Sequence, residues 1–308
     1  MRYLPKLQQL KVFQQVIRAG SIRAAARAMN QTQPAVSRAL RELEQTLETQ
    51  LIIRGTHGMT LTPSGQAFAQ RMQFILEELQ RAVDEVQQID AMSAGSVSVG
   101  FSSSMGMLLL PQLTEQFSEQ FPQAKLRVEE GHLLTLLPAL REGRLDMAID
   151  IISPDVPLTG LASESLFITP ICVIARRHHP LQRATNIAQL AKASWLLPDD
   201  DMGYYQKLSQ SLLAIPSRTG QTVLHSNSLL FGLTLVLSAD YLTLGTAAMF
   251  RLPLMQRMFC PLPIPHLPTV EYSLIYSQKT PLTLTARRFI ELVRHRCQQL
   301  SGQNDDLL

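Results

Sequence analysis

Cysteine is scarce in this chain: Cys172, Cys260 and Cys297 are the only three in 308 residues, lie far apart, and fall in no CxxC or Cys/His ligand spacing. That excludes a disulfide-stapled scaffold and leaves reduced thiols packed among apolar side chains as the plain reading. Long apolar runs are missing as well. No stretch of eighteen or more apolar residues could span a bilayer, and the opening MRYLPKLQQLKVFQQV is amphipathic, without the apolar core of a signal peptide. The expected compartment is the cytoplasm, with no membrane partner. Catalytic signatures are equally absent: there is no GxSxG, HExxH, GxxxxGK[ST] or post-strand GxGxxG, and spacing brings no carboxylate pair together. Neither enzyme activity nor a metal or cofactor is expected.

What is present is 45% hydrophobic content, in a chain long enough for two or three domains. The net charge of +3 conceals an asymmetry. Residues 1–65 carry nine Lys/Arg against three Glu, a net +6, which leaves 19 basic and 22 acidic side chains, a net −3, for the rest. A basic module on a mildly acidic body suits polyanion binding at one end.

Within that module GSIRAAARAMNQTQPAVSRALREL, from Gly20 to Leu43, spells helix, tight turn, helix. Gly20 can end one helix in the left-handed region and Ser21 can cap the next, which carries Ala24, Ala25, Ala26 and Ala28. Thr32 can cap a third helix with Pro34 in its first turn. Val36, Leu40, Leu43 and Leu47 form one apolar stripe on it, leaving Gln33, Ser37, Arg38 and Arg41 on the other side, where they could meet base edges and phosphates. An ordinary amphipathic helix with a solvated basic face would fit this pair equally well on its own. Ahead of it, Leu7, Leu10, Phe13 and Ile17, with Val16 beside them, predict a helix over Leu4–Ala19 that packs beneath. Behind it, LIIRGTHGMTLT suits a small hairpin whose Arg54 and Thr62 could touch phosphate.

Gly20-Ser21, the alanine-rich run, Gln31 to Ser37, Leu43-Glu44, Leu51, Arg54 and Leu61-Thr62-Pro63-Ser64-Gly65 together resemble the winged helix-turn-helix of LysR-type transcriptional regulators. The resemblance implies contact with double-stranded promoter DNA through Ser21, Arg23, Thr32, Gln33, Pro34, Ser37, Arg38, Arg41, Arg54, His57 and Thr62. His57 departs from the pattern, standing where many members carry Lys or Arg, so one phosphate contact would be weak or pH-dependent.

From Ser64 to about Met92 a Gln- and Glu-rich helix carries a heptad seam of Phe68, Met72, Ile75, Leu79, Ala82, Val86 and Ile89. The resemblance makes this the linker helix (residues 64–92, after a DNA-binding domain of 1–63) that pairs subunits into a homo-oligomer, a dimer or a tetramer, with RNA polymerase as a further partner. After Ser93-Ala94-Gly95, strands at Val97–Phe101, Lys125–Glu129 and Met147–Ile152 alternate with helices at Met105–Phe121 and Leu133–Glu142, which implies a parallel sheet. A second α/β unit runs over about 166–265, with strands at Ile168–Ala175, Trp195–Leu197, Val223–His225 and Tyr241–Leu244 and helices at Tyr204–Leu213 and Leu229–Ser238. Pro261, Pro263, Pro265 and Pro268 form a crossover before Tyr272–Tyr276 and the helix Thr283–Leu300. The resemblance makes residues 93–308 a two-lobed, periplasmic-binding-protein-like α/β effector domain (lobe I about 93–165 and 266–301), with Gly143 to Ala148 matching the family's G-x-L-D-h-A turn.

In such folds ligands sit at strand carboxyl ends, against helix N-termini. Ser102, Ser103 and Ser104 lie there as a candidate carboxylate cradle; His132, Asn227 and Ser228 reach the same cleft, and Met202, Tyr204 and Tyr205 could wall it. The stretch PDDDMGYY resembles the LysR branch that includes the activator of the anaerobic threonine-degradation operon. Helix capping by these serines and Asn227, and a structural role for His132, are the competing readings. Lys and Arg are sparse at these loops, so an anion would rest on amides and hydroxyls. The expected effector is a small organic or aromatic carboxylate; the rival functions are a redox-sensing regulator and a solute-binding receptor without DNA activity.

Overall fold

The computed structural model describes residues 4–55, 58–89, 95–153, 155–197 and 222–301. The chain divides into two units, Met1–Val86 with Glu142–Arg144, and Gln87–Arg141 with Leu145–Leu308.

The first unit begins with α1 (Leu7–Ala19), α2 (Ile22–Ala28) and α3 (Gln33–Thr46). Local chemistry sets each boundary. Gly20 takes φ +67°, where its lack of Cβ removes the strain, and its amide donates to the Val16 carbonyl at 3.0 Å. Ser21 Oγ accepts from the Ala24 amide at 3.2 Å and Thr32 Oγ1 from the Ala35 amide at 3.3 Å, while Pro34 occupies the first turn of α3. Val36, Leu40 and Leu43 are fully buried against Val12, Phe13, Val16 and Ala25, each contributing about 1.5–3 kcal/mol of burial. On α1 the buried face differs from the expected one. Leu10, Phe13 and Val16 point inward, but Val12 and Gln9 join them while Leu7 and Ile17 stay 40% and 37% exposed. Gln9 is drawn in because its Oε1 accepts the Lys6 amide at 2.8 Å, starting the helix.

The hairpin of β1 (Ile52–Gly55) and β2 (Gly58–Leu61) follows, then the 27-residue α4 (Pro63–Ile89). The seam expected on α4 splits. Met72 is buried and Phe68 packs on Phe13 at 5.8 Å between ring centroids, whereas Ile75, Leu79 and Val86 are 52%, 43% and 62% exposed.

The second unit opens with a lobe of β3 (Ser96–Phe101), α5 (Ser103–Gln120), β4 (Lys125–Glu130), α6 (Leu133–Arg141) and β5 (Met147–Ile151). β3 runs parallel to both β4 and β5. The Asp146 carboxylate and amide clasp Ser98 at 2.7 and 2.8 Å, which gives the G-x-L-D turn its physical purpose of tying the start of β5 to β3. Next comes β6 (Leu161–Arg176), sixteen residues long where the sequence predicts a strand only from Ile168. Its first half carries Ser163, Glu164 and Ser165, polar enough to read as loop, yet it pairs along its length with β11 (Thr269–Ser277), and Arg294 clamps Glu164 through two bonds at 2.8 and 2.6 Å.

The second half of β6 belongs to the other lobe, with β7 (Ser194–Leu197), β8 (Val223–His225), α7 (Leu229–Ala239), β9 (Tyr241–Thr246), α8 (Pro253–Met258) and β10 (Phe259–Pro261). The strand order β4-β3-β5-β11-β6-β9-β7-β8, with β10 on β6, makes β6 the member common to both lobes. α9 (Leu284–Ser301) returns to the first lobe, where Phe289 meets Phe117 edge-on at 5.4 Å. The expected helix at Tyr204–Leu213 lies outside the described residues. No helix among the described residues is long and apolar enough to cross a membrane.

Candidate DNA-contact face and effector cleft

On α3 the residues turned from the core are Gln33, Pro34, Arg38 and Arg41, all exposed, with Ser37 half-buried between them. Arg38 Nε donates to Glu42 Oε1 at 2.9 Å and Arg41 Nε to the Ser37 carbonyl at 3.3 Å, so each guanidinium is held along the helix by a residue four positions away. The Arg38 hydrogen bond holds the Glu42 carboxyl below its ordinary range, helped by Gln9. Ser21 and Thr32 serve as caps, and Arg23 is exposed on α2.

Two contacts explain conspicuous letters after α3. Glu44 Oε1 accepts from the Leu51 and Ile52 amides at 2.9 and 3.2 Å, fixing the entry into the hairpin. At Gly65 any Cβ would lie 2.0 Å from the Leu51 carbonyl oxygen, so the close crossing of strand and helix requires glycine. Thr62 Oγ1 donates to the Gln50 carbonyl at 2.7 Å and accepts from the Gly65 amide at 2.9 Å, which commits its proton within the fold. Arg54 lies on β1 opposite Met59. His57 lies outside the described residues.

In the second unit a cavity of about 500 Å³ opens between the lobes. Ser102, Ser103, Ser104, His132, Asn227 and Ser228 all line it, so the structure brings together every described candidate of the cleft. Met202, Tyr204 and Tyr205 lie outside the described residues. The beginnings of α5, α6 and α7 converge on this space, and among the described residues no lysine or arginine lines it. Their ends are not equivalent. α7 is capped by Ser228, whose Oγ accepts from the Phe231 amide at 3.3 Å, and α6 by Asp150 on β5, whose Oδ2 accepts from the Leu133 amide at 2.6 Å. Ser102 occupies the cap position of α5, yet its side chain does not cap that helix.

Ser102 turns its hydroxyl inward instead. Its Oγ and Asp150 Oδ1 are both buried with no partner in full hydrogen-bond geometry. Burial pushes the Asp150 carboxyl up to about 7, against the lowering influence of the Ile151 and Leu133 amides and of the nearby Ser102 hydroxyl. One step away, Ser104 Oγ lies 2.8 Å from Tyr272 Oη on β11, and Thr246 Oγ1, at the end of β9, lies 3.4 Å from the same oxygen. Tyr272, 1% exposed and pushed up to about 12 by burial, thus joins a cavity serine to both lobes.

Residues 7–66 match the model of the bacterial regulatory helix-turn-helix protein, lysR family, and residues 91–298 match that of the LysR substrate binding domain. The chain belongs to the LysR family. This LysR-family chain is 34% identical over 295 residues to the HTH-type transcriptional regulator TdcA of Escherichia coli (strain K12), covering 94% of this chain and 93% of that one. It is also similar to solved structures: full-length CbnR complexed with its target DNA (TM-score 0.68, 21% identity, 94% of this chain and 99% of that one) and a full-length OxyR variant from Pseudomonas aeruginosa (TM-score 0.66, 20% identity, 99% of both). The fold is a helix-turn-helix followed by a two-lobed α/β effector domain, and the protein is a DNA-binding transcriptional regulator.

Sequence reasoning missed several residues of this LysR-family cleft. Glu130, the last residue of β4, lines the cavity and accepts the Ser103 hydroxyl at 2.5 Å; Thr243 to Gly245 on β9 form the opposite wall. Glu130 stands at the carboxyl end of a strand, the topological position that also singled out Ser102, and that signal was available. Tyr272 gave none, because its partners lie 168 and 26 residues away.

Proposed function

We propose that this regulator reads promoter DNA through Gln33, Ser37, Arg38 and Arg41 of α3, and that a small organic or aromatic carboxylate held between the lobes modulates that binding. The observation that carries the reading is the cleft: about 500 Å³ at converging helix N-termini, without a lysine or arginine among the described residues of its lining. An anion there meets oriented amides and hydroxyls, which favour negative charge without the bulk of a cationic side chain. The ligand must bind one arrangement of lobes or subunits better than another, since equal affinity shifts nothing. Thr62 is assigned to holding hairpin and helix together, because its proton is already donated to Gln50.

The exposed Ile75, Leu79 and Val86 on α4 support pairing of subunits, which would set two recognition helices about one DNA turn apart. The regulator acts in the cytoplasm in this reading. Oxidant sensing through a cysteine pair has the geometry against it. Cys260 pairs with Ala175 on β6, three positions from Cys172, and an odd separation turns the two thiols to opposite faces of the sheet. Burial pushes Cys172 and Cys297 up to about 12 and raises Cys260, so little reactive thiolate forms.

The test selects genomic fragments on the parent protein, then compares Arg38→Ala and Arg41→Ala on one such site by fluorescence anisotropy across a salt series. Each substitution is expected to weaken binding at least tenfold and to flatten the salt slope by about one for each phosphate no longer neutralised. Unchanged affinity and slope would sink the assignment.

A further inference from the structure

We propose that the ligand of the cleft is a zwitterion, an α-amino acid, rather than a simple carboxylate; this deepens the proposed function and rests on it. The argument starts from the charges in the cavity. Glu130 is the one carboxylate among the described residues that line it, and none of them is a lysine or arginine. A bare carboxylate seated there would face this like charge, which works against its binding.

The cavity nevertheless offers a seat for an anion. Of the three helices that begin on it, α6 is capped by Asp150 and α7 by Ser228, but α5 has no side-chain cap, although Ser102 stands in the cap position. Ser102, only 6% exposed, keeps its hydroxyl buried beside Asp150 instead of using it on its own helix. The first-turn amides of α5, an eighteen-residue helix, are thus left for a ligand.

Glu130 is tied to this same turn by the Ser103 hydroxyl at 2.5 Å. The cavity therefore presents a positive helix end and a carboxylate side by side. In an α-amino acid the carboxylate and the ammonium sit on one carbon, so they need two partners of opposite sign that adjoin each other. The carboxylate goes to the α5 amides and the ammonium to Glu130, with the remaining volume, walled by Leu196, Leu244 and Met249, left for the side chain. A diamine would lack a partner for its second charge, and a dicarboxylate would set two anions against Glu130.

The test is calorimetric titration of the full chain with the twenty proteinogenic amino acids, each compared with its des-amino acid and its decarboxylated amine. One or a few amino acids are expected to bind on the order of tenfold or more tighter than either truncated partner. Glu130→Gln, at an exposed strand end where folding is not at stake, is expected to remove the preference for the amino group while leaving the des-amino acid bound as well as before or better. A des-amino acid that binds the parent as tightly as its amino acid, or a preference that survives Glu130→Gln, overturns the zwitterion and leaves the carboxylate reading standing. Binding by none of these acids, with or without the amino group, overturns both.

Discussion

Replacing Asp150 by asparagine isolates the most perturbed carboxyl near the cleft. In the folded protein burial pushes this group from its ordinary 3.8 up to about 7. Between those values the folded state holds a proton that the unfolded chain has released, so stability is greatest below about pH 4, falls as pH rises, and is level again above about 7. At about 1.4 kcal/mol per pH unit the full loss is roughly 4 kcal/mol, an upper bound for a group whose surroundings can relax. The geometry names the structural cause: Oδ2 is committed to the Leu133 amide at 2.6 Å, while Oδ1 and the Ser102 hydroxyl lie buried without partners in full hydrogen-bond geometry. A protonated acid removes the charge that burial penalises while still offering the Ser102 hydroxyl a partner. A neutral carboxamide would imitate it at every pH, so Asp150→Asn should match the parent below about pH 4, exceed it by up to that amount at pH 7.5, and show a flatter profile between. Urea unfolding followed through Trp195, the single tryptophan and 2% exposed, reads the effector unit directly. Parallel pH profiles for parent and variant, or a variant less stable at pH 7.5, would refute the reasoning.

Gly65→Ala should cost about 1–3 kcal/mol or more in the DNA-binding unit despite the better helix propensity of alanine, since its Cβ would meet the Leu51 carbonyl at 2.0 Å. A thermal melt followed by circular dichroism with little or no loss would show that the crossing can yield. Tyr272→Phe keeps the ring against Phe167, 5.2 Å away, but removes the hydroxyl between Ser104 and Thr246; it should cost about 1–2 kcal/mol and weaken the response of DNA binding to the ligand. Denaturant midpoints and ligand-dependent anisotropy read the two effects separately, and a variant with parental values in both would remove Tyr272 from the coupling.

The DNA-binding helices were legible because their boundaries are written locally: Gly20, Ser21, Thr32 and Pro34 each act within four residues of their own position. The inward face of α1 was less so. Apolar side chains lie on both flanks of that helix, and the contacts that choose Val12 over Ile17 come from α2 and α3. The first half of β6 was missed because Ser163 to Ser165 become a strand only by pairing with residues more than a hundred positions later. α8 and β10 span only Pro253–Pro261, too short for any periodicity to show. In the cleft, Ser102 to Ser104, His132, Asn227 and Ser228 could be placed from strand ends alone, while Tyr272 depended on register across the whole unit.

The shared strand bears on how the effector domain can move. One continuous β6 pairs with β11 from Leu161 to Pro170 and with β9 and β10 from Ile171 to Arg176, so the two halves of the domain hang on a common spine. The return path is stitched to it as well, through the Ile171 amide to Pro268 and the Leu262 amide to Val173. Pages bound in this way can fan and twist but cannot come apart without tearing out backbone bonds. Strand pairing thus leaves twisting about β6, rather than separation, as the freedom open to the two halves, and the register of β6 with β11 is least regular between Tyr272 and Ser273.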